Sequence, residues 1–99
     1  MQPNIFPNVR NGRKEVTTAG TAERLVSTNT PCRKLTIMAE LDNSDYVVVG
    51  GSGVVAALAT RQGIPLSAGT SITLDVYDLY EVWVDSVVST EGVTFLYQF

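Results

Sequence analysis

The chain contains no histidine, one cysteine, one tryptophan, and seven basic residues against ten acidic ones. Without an imidazole it lacks the group on which most acid–base catalysis at neutral pH, most zinc sites and the usual serine triad depend. A single cysteine cannot form an internal disulfide. Cys32, set just before "RKLTIMAE", reads as a small core side chain, with no histidine to activate it as a nucleophile. The net charge of −3 argues against phosphate-bound nucleic acid, which requires a basic face. No apolar run approaches the length of a bilayer span, and "MQPNIFPNVRNGRKE" shows no apolar leader, so neither a membrane helix nor a signal peptide is expected.

What the chain has is alternation. Of its 99 residues, 44% are apolar, enough for one core and too many for disorder. In "RKLTIMAEL" Leu35, Ile37, Ala39 and Leu41 share one face, with Lys34, Thr36 and Glu40 on the other. "SITLDVY" sets Ile72, Leu74 and Val76 against Ser71, Thr73 and Asp75. "VTFLYQF" alternates Val93, Phe95, Tyr97 and Phe99 with Thr94, Leu96 and Gln98, and "LYEVWVDS" sets Tyr80, Val82 and Val84 opposite Glu81, Trp83 and Asp85. A period of two marks strands with one buried face. The continuous "YVVV" at 46–49 reads as a strand covered on both faces. Turn chemistry at "DNSD", "GGSG", "QGIPLSAGTS" and "TEG" separates these runs. The expected fold is all-β: a compact β-sandwich or small β-barrel of about six to eight strands over residues 23–99. Residues 1–22, polar and punctuated by Pro3, Pro7, Gly12 and Gly20, read as an extended N-terminal arm held by this chain's own sheet or by a neighbouring subunit.

One segment spells a nucleotide site. Gly51-Ser52-Gly53-Val54-Val55-Ala56 fits the dinucleotide pattern G-x-G-x-x-A, and the stretch after it looks helical. That fingerprint needs a helix starting at the loop and a parallel strand returning beyond it. Here Gly63 and Pro65 stop any helix after about two turns, and no Gly-Lys-Ser/Thr follows. The glycines therefore serve a tight turn after a buried strand, and no cofactor is expected.

The remaining candidates are interaction residues. The carboxylates Asp42, Asp45, Asp75, Asp78, Glu81 and Asp85 show neither a calcium-loop spacing nor the facing pair of a glycosidase. No metal site and no enzymatic activity are expected. Trp83, between Val82 and Val84 and flanked by acidic residues, reads as a core or interface side chain, or less readily as a platform for a sugar ring. In the arm, Ile5, Phe6 and Val9 are candidate apolar anchors, and Arg10, Arg13 and Lys14 candidate charge partners.

Taken together, "AERLVSTNTPCRKLTIMAELDNSDYVVVGGSGV", "GIPLSAGTSITLDVYDLYEVWVDS" and "EGVTFLYQF" resemble small β-rich virion structural proteins of tailed bacteriophages, of the head-decoration, head-fibre or tail-associated type. The phrases that carry the likeness are the strand ending in Val49-Gly50 before Gly51-Ser52, the Gly63-x-Pro65-Leu66-x-x-Gly69 turn, "DLYEVWV", and the aromatic strand after Gly92. The resemblance implies a non-enzymatic homo-oligomeric subunit, assembled in the host cytoplasm without disulfides and carried in the virion. Its partners would be the major capsid protein or other virion subunits, with neither nucleic acid nor membrane. A capsid decoration or cement protein is the leading expectation; a tail- or fibre-associated module that reads host-surface glycan is the alternative.

Overall fold

Alternating segments become strands in this protein, with additions at Val9–Glu15 and Glu23–Arg24 and at Ile64–Leu66, a strand inside the stretch expected to be a turn. The computed structural model describes residues 8–99. Its strands are β1 (Val9–Glu15), β2 (Glu23–Arg24), β3 (Lys34–Ala39), β4 (Val47–Gly50), β5 (Ile64–Leu66), β6 (Ser71–Leu74), β7 (Trp83–Ser86) and β8 (Gly92–Gln98). They form two four-stranded sheets, ordered β1-β8-β3-β6 and β2-β7-β4-β5. Every ladder is antiparallel. In this order β1 lies beside β8, β2 beside β7, β3 beside β6 and β4 beside β5. Such nesting results when one long hairpin is rolled into two layers, so the sandwich is a jelly roll.

The inner faces supply one core. Leu35, Ile37 and Ala39 of β3 and Val93 and Phe95 of β8 meet Val47 and Val49 of β4 and Val84 of β7, with Leu66 and Leu79 filling the ends. Ile72, Leu74 and Val76 pack half-buried against it. Leu41 departs from the expected pattern and is 78% exposed. Strand β3 ends at Ala39, and the chain reverses through a turn in which the Asn43 amide donates to the Glu40 carbonyl, so the alternation no longer applies.

The reading of 46–49 holds for its three valines: Val47, Val48 and Val49 are all buried. Val48 points away from the main core into a second, smaller cluster with Val54 and Ala56, against which Ala22 and Trp83 pack. The covering layer is the loop after the glycine corner. The helix suggested for that stretch is reduced to a single 3-10 turn at Leu58–Thr60. Val55 instead bridges back to Gln62, and the chain lies as a flap across the sheet. Gly63 closes the flap at φ +114°, where a Cβ would come within 2.7 Å of the Val49 carbonyl oxygen; only glycine fits without strain.

The proposed division at residue 22 needs correction. Residues 9–15 are an integral strand, paired with β8 from Val9↔Gln98 to Glu15↔Gly92, and Val16 is fully buried. The segment lacks apolar alternation because Gly12 occupies an inward position and the Phe95 ring from β8 covers it. The apolar surface comes from the neighbouring strand. Ile5 and Phe6 lie outside the described residues.

Candidate interaction surface

Four carboxylates hold the loops, and each does so by accepting backbone N–H groups. Asp85, 1% exposed, accepts from Gly20 and Ser86 through Oδ1 and from Ala56 through Oδ2, all at 2.9 Å. It thereby fastens the β1–β2 loop and the flap to the outer side of β7. Asp78 accepts from the amides of Tyr80 and Thr30 and from Asn29 Nδ2, tying the β2–β3 loop to the β6–β7 loop. These bonds hold its carboxyl below the ordinary range. Glu91 accepts from the amide and hydroxyl of Ser44 and from the amide of Asp45. Burial pushes its pKa up, but those bonds outweigh burial and the net shift is downward. Glu23 behaves alike: burial opposes its ionisation, while Lys14 and the amides of Thr18 and Thr17 more than offset it.

The residues expected to make external contacts are not gathered at one place. Val9, Arg10, Arg13 and Lys14 lie on β1 in the first sheet, and Trp83 on β7 in the second. Arg13 is held by a two-point contact with Glu40 and reaches Glu15 at 3.5 Å. Its hydrogen bond to Glu40 and the charge of that residue raise its pKa. Lys14 Nζ lies 2.8 Å from Glu23. Two of the three expected charge partners are thus engaged within their own chain. Arg10 sits over the Phe99 ring, 5.0 Å from its centre.

Trp83 is half-buried. The Arg24 guanidinium lies between two rings, 3.7 Å from the centre of Tyr80 and 4.6 Å from that of Trp83, and donates to the Tyr80 carbonyl. The indole also packs on the Val48 cluster. A sugar ring stacking on Trp83 would have to displace Arg24. Cys32 is buried with its Sγ 3.2 Å from the Val76 carbonyl oxygen, and burial raises its thiol pKa, which suits packing better than reactivity. At the glycine corner, the Val54 amide donates to the Gly51 carbonyl in a turn.

The broadest accessible feature is the outer face of the first sheet. Strand register places Asn11, Leu96, Thr36 and Thr73 in one row across it, and Arg13, Thr94, Met38 and Ser71 in the next. The Thr36 and Thr73 hydroxyls share a 3.0 Å hydrogen bond. Leu96 is 43% exposed and Val9 54%. Periodicity set Thr36, Ser71, Thr73, Thr94 and Leu96 opposite the buried faces of their strands, but only the register adds Val9, Asn11, Arg13 and Met38 and shows that they form one continuous mixed surface. Two open hollows border this sheet. One, of about 590 Å³, lies among Arg10, Arg33, Tyr97, Phe99 and the 28–32 loop. The other, of about 670 Å³, runs along the seam between the β1 and β2 edges, over Gly12, Phe95, Leu25 and Val26.

Among the described residues, the site and fold together define an eight-stranded antiparallel jelly roll with clamped loops and one sheet face that no described segment covers. No family model, no curated protein and no solved structure matches the chain. Among the described residues, no helix is long and apolar enough to cross a membrane.

Proposed function

We propose that the chain is a non-enzymatic virion structural protein of a tailed bacteriophage, a decoration or cement subunit that binds the major capsid protein or other virion subunits and stabilises the particle. The observation that carries the reading is the outer face of the β1-β8-β3-β6 sheet, over which no described segment lies. It offers an array of threonines with Leu96, Met38 and Val9 among them, a composition that combines apolar contact with adaptable hydrogen bonding. Fold alone does not decide function, since jelly rolls serve capsids, lectins and cupins alike. The resemblance in sequence phrases supplies the virion context. The glycan alternative is less well supported because Arg24 already occupies the Tyr80–Trp83 cleft.

The test is reconstitution on particles lacking the protein. Purified chain should bind them to saturation and raise the temperature at which they rupture. Leu96→Asp together with Thr36→Arg should lower occupancy at least about tenfold while leaving the isolated chain folded. Absence of the chain from purified virions, or full binding by the double variant, overturns this reading.

A further inference from the structure

We propose that Asn11-Gly12 is a deamidation site that the β1–β8 ladder holds shut, so that Asn11 loses its amide only in molecules whose β1 has left β8. The inference concerns the chain's own chemistry and does not depend on particle binding. Of the five asparagines, at 4, 8, 11, 29 and 43, Asn11 alone precedes a glycine. Glycine favours the reaction because no side chain obstructs its nitrogen and its backbone adopts the angles that the cyclic product demands. The Gly12 nitrogen gives its proton to hydroxide and attacks Asn11 Cγ. The bond from Cγ to the side-chain nitrogen breaks, ammonia leaves, and a cyclic imide closes across the two residues. Water then opens the imide at either carbonyl. One opening gives aspartate; the other gives isoaspartate, whose main chain runs through the former Cβ and Cγ.

The fold blocks the first of these steps. Asn8 and Phe99 exchange both backbone hydrogen bonds, and the register runs without a break from Val9↔Gln98 to Glu15↔Gly92. Bonded and non-bonded pairs alternate along an antiparallel ladder, so Gly12↔Phe95 is a bonded pair. The Gly12 N–H therefore donates to the Phe95 carbonyl, and the attacking nitrogen is occupied. The strand also holds ψ of Asn11 near about +135°, whereas closure of the imide needs that nitrogen turned toward Cγ. On the inner side, the Phe95 ring lies over Gly12, where a Cβ would come within 2.5 Å of its Cζ. Packing thus fixes glycine at position 12, while Asn11 stands exposed.

The two products differ in what they allow afterwards. Aspartate keeps the backbone and adds a negative charge to the row shared with Leu96 and Thr36. Isoaspartate inserts an extra atom into the main chain, so the residues on its two sides cannot both keep their partners on β8. A chain modified in this way carries β1 detached on one side of position 11. Departure of β1 from the sheet is thereby recorded and made irreversible.

The experiment incubates the full-length chain at mildly alkaline pH, folded and in denaturing urea, and follows each asparagine by peptide mass spectrometry. In urea Asn11 should convert several times faster than Asn29 or Asn43, which precede Thr30 and Ser44. In the folded chain it should convert at least about tenfold more slowly than in urea, because the strand must open first. That suppression should match or exceed the hydrogen-exchange protection of the Gly12 amide, since both need the bond to Phe95 broken. Gly92→Ala leaves residues 10–13 unchanged but sets a Cβ against the Lys14 carbonyl, and should raise the folded rate at least about tenfold. The isolated isoaspartate form should show unprotected β1 amides, whereas Asn11→Asp should keep them protected. Equal rates in the two conditions, a folded rate above that allowed by Gly12 exchange, or an isoaspartate chain with β1 intact would each overturn the proposal. So would a Gly92→Ala chain whose β1 amides are exposed while the Asn11 rate is unchanged.

Discussion

The two sheets differ in what lies on their outer sides. Behind the β2-β7-β4-β5 sheet, the flap and the β1–β2 loop cover Val48 and bury Asp85. Behind the β1-β8-β3-β6 sheet, Thr94, Leu96 and Thr36 face outward with no described segment over them. Among the described residues, one sheet is therefore an inner layer of three, and the other an external wall. A covered sheet tolerates a carboxylate only where backbone donors satisfy it, whereas an open face takes hydroxyls and isolated apolar side chains without that requirement. The comparison also separates residues that fix the structure from residues free to meet a partner.

The sharpest way to break the comparison is at Asp85. Asp85→Asn turns an acceptor into a donor facing amides, and Asp85→Ala leaves three N–H groups with no partner. Either should cost about 3–5 kcal/mol in denaturant unfolding. Wild-type stability in both would show that the covering loops are not fastened there. Next comes Gly92→Ala. Its Cβ would collide with the Lys14 carbonyl and the Glu15 Cα, forcing β1 from β8 at a cost of about 3 kcal/mol. Hydrogen exchange should place that loss in β1; Gly51→Ala, with open space around it, serves as the control.

Paired truncations sharpen the contrast further. Val48→Ala should cost about 2 kcal/mol and Leu96→Ala less than about 0.5, both read from denaturant midpoints. Equal costs would mean that the first sheet is covered after all. The smallest effect is acid sensitivity. Glu23, Asp78 and Glu91 have lowered pKa values in the fold, so their contribution is fully present above the ordinary carboxylate range near about 4. It is lost as pH falls from there through the depressed folded values. The melting temperature should stay level from neutral pH to about 5 and decline below about 4. Glu91→Gln should flatten that decline, and a decline already evident between pH 7 and 5 would assign it to other groups.

Much of this architecture was legible in the sequence, but unevenly. Period two located β3, β6 and β8, and the valine run at 47–49 announced a strand covered on both faces, because a strand buried on both sides carries apolar residues at consecutive positions, whichever segment covers it. The glycine corner was rightly read as a turn. Asp85 was assigned only to the face opposite Val82 and Val84, since local alternation cannot register loops contributed by Gly20 and Ala56, 65 and 29 positions away. Strand β1 was taken for an arm because its core contact, the Phe95 ring over Gly12, is supplied by another strand. Arg24 between Tyr80 and Trp83 was invisible for a related reason. A cation joins two rings only once β2 and the 3-10 turn at Leu79–Glu81 are in place.

The position of β8 has a kinetic consequence. It runs between β1 and β3, so one of the two central strands of the wall sheet is the last of the eight described strands to be synthesised. Until residues 92–98 appear, β3 and β6 can pair, but β1 lacks the strand that joins it to them. Pairing across most of the chain's length makes folding slow, with closure of that sheet as the natural final step.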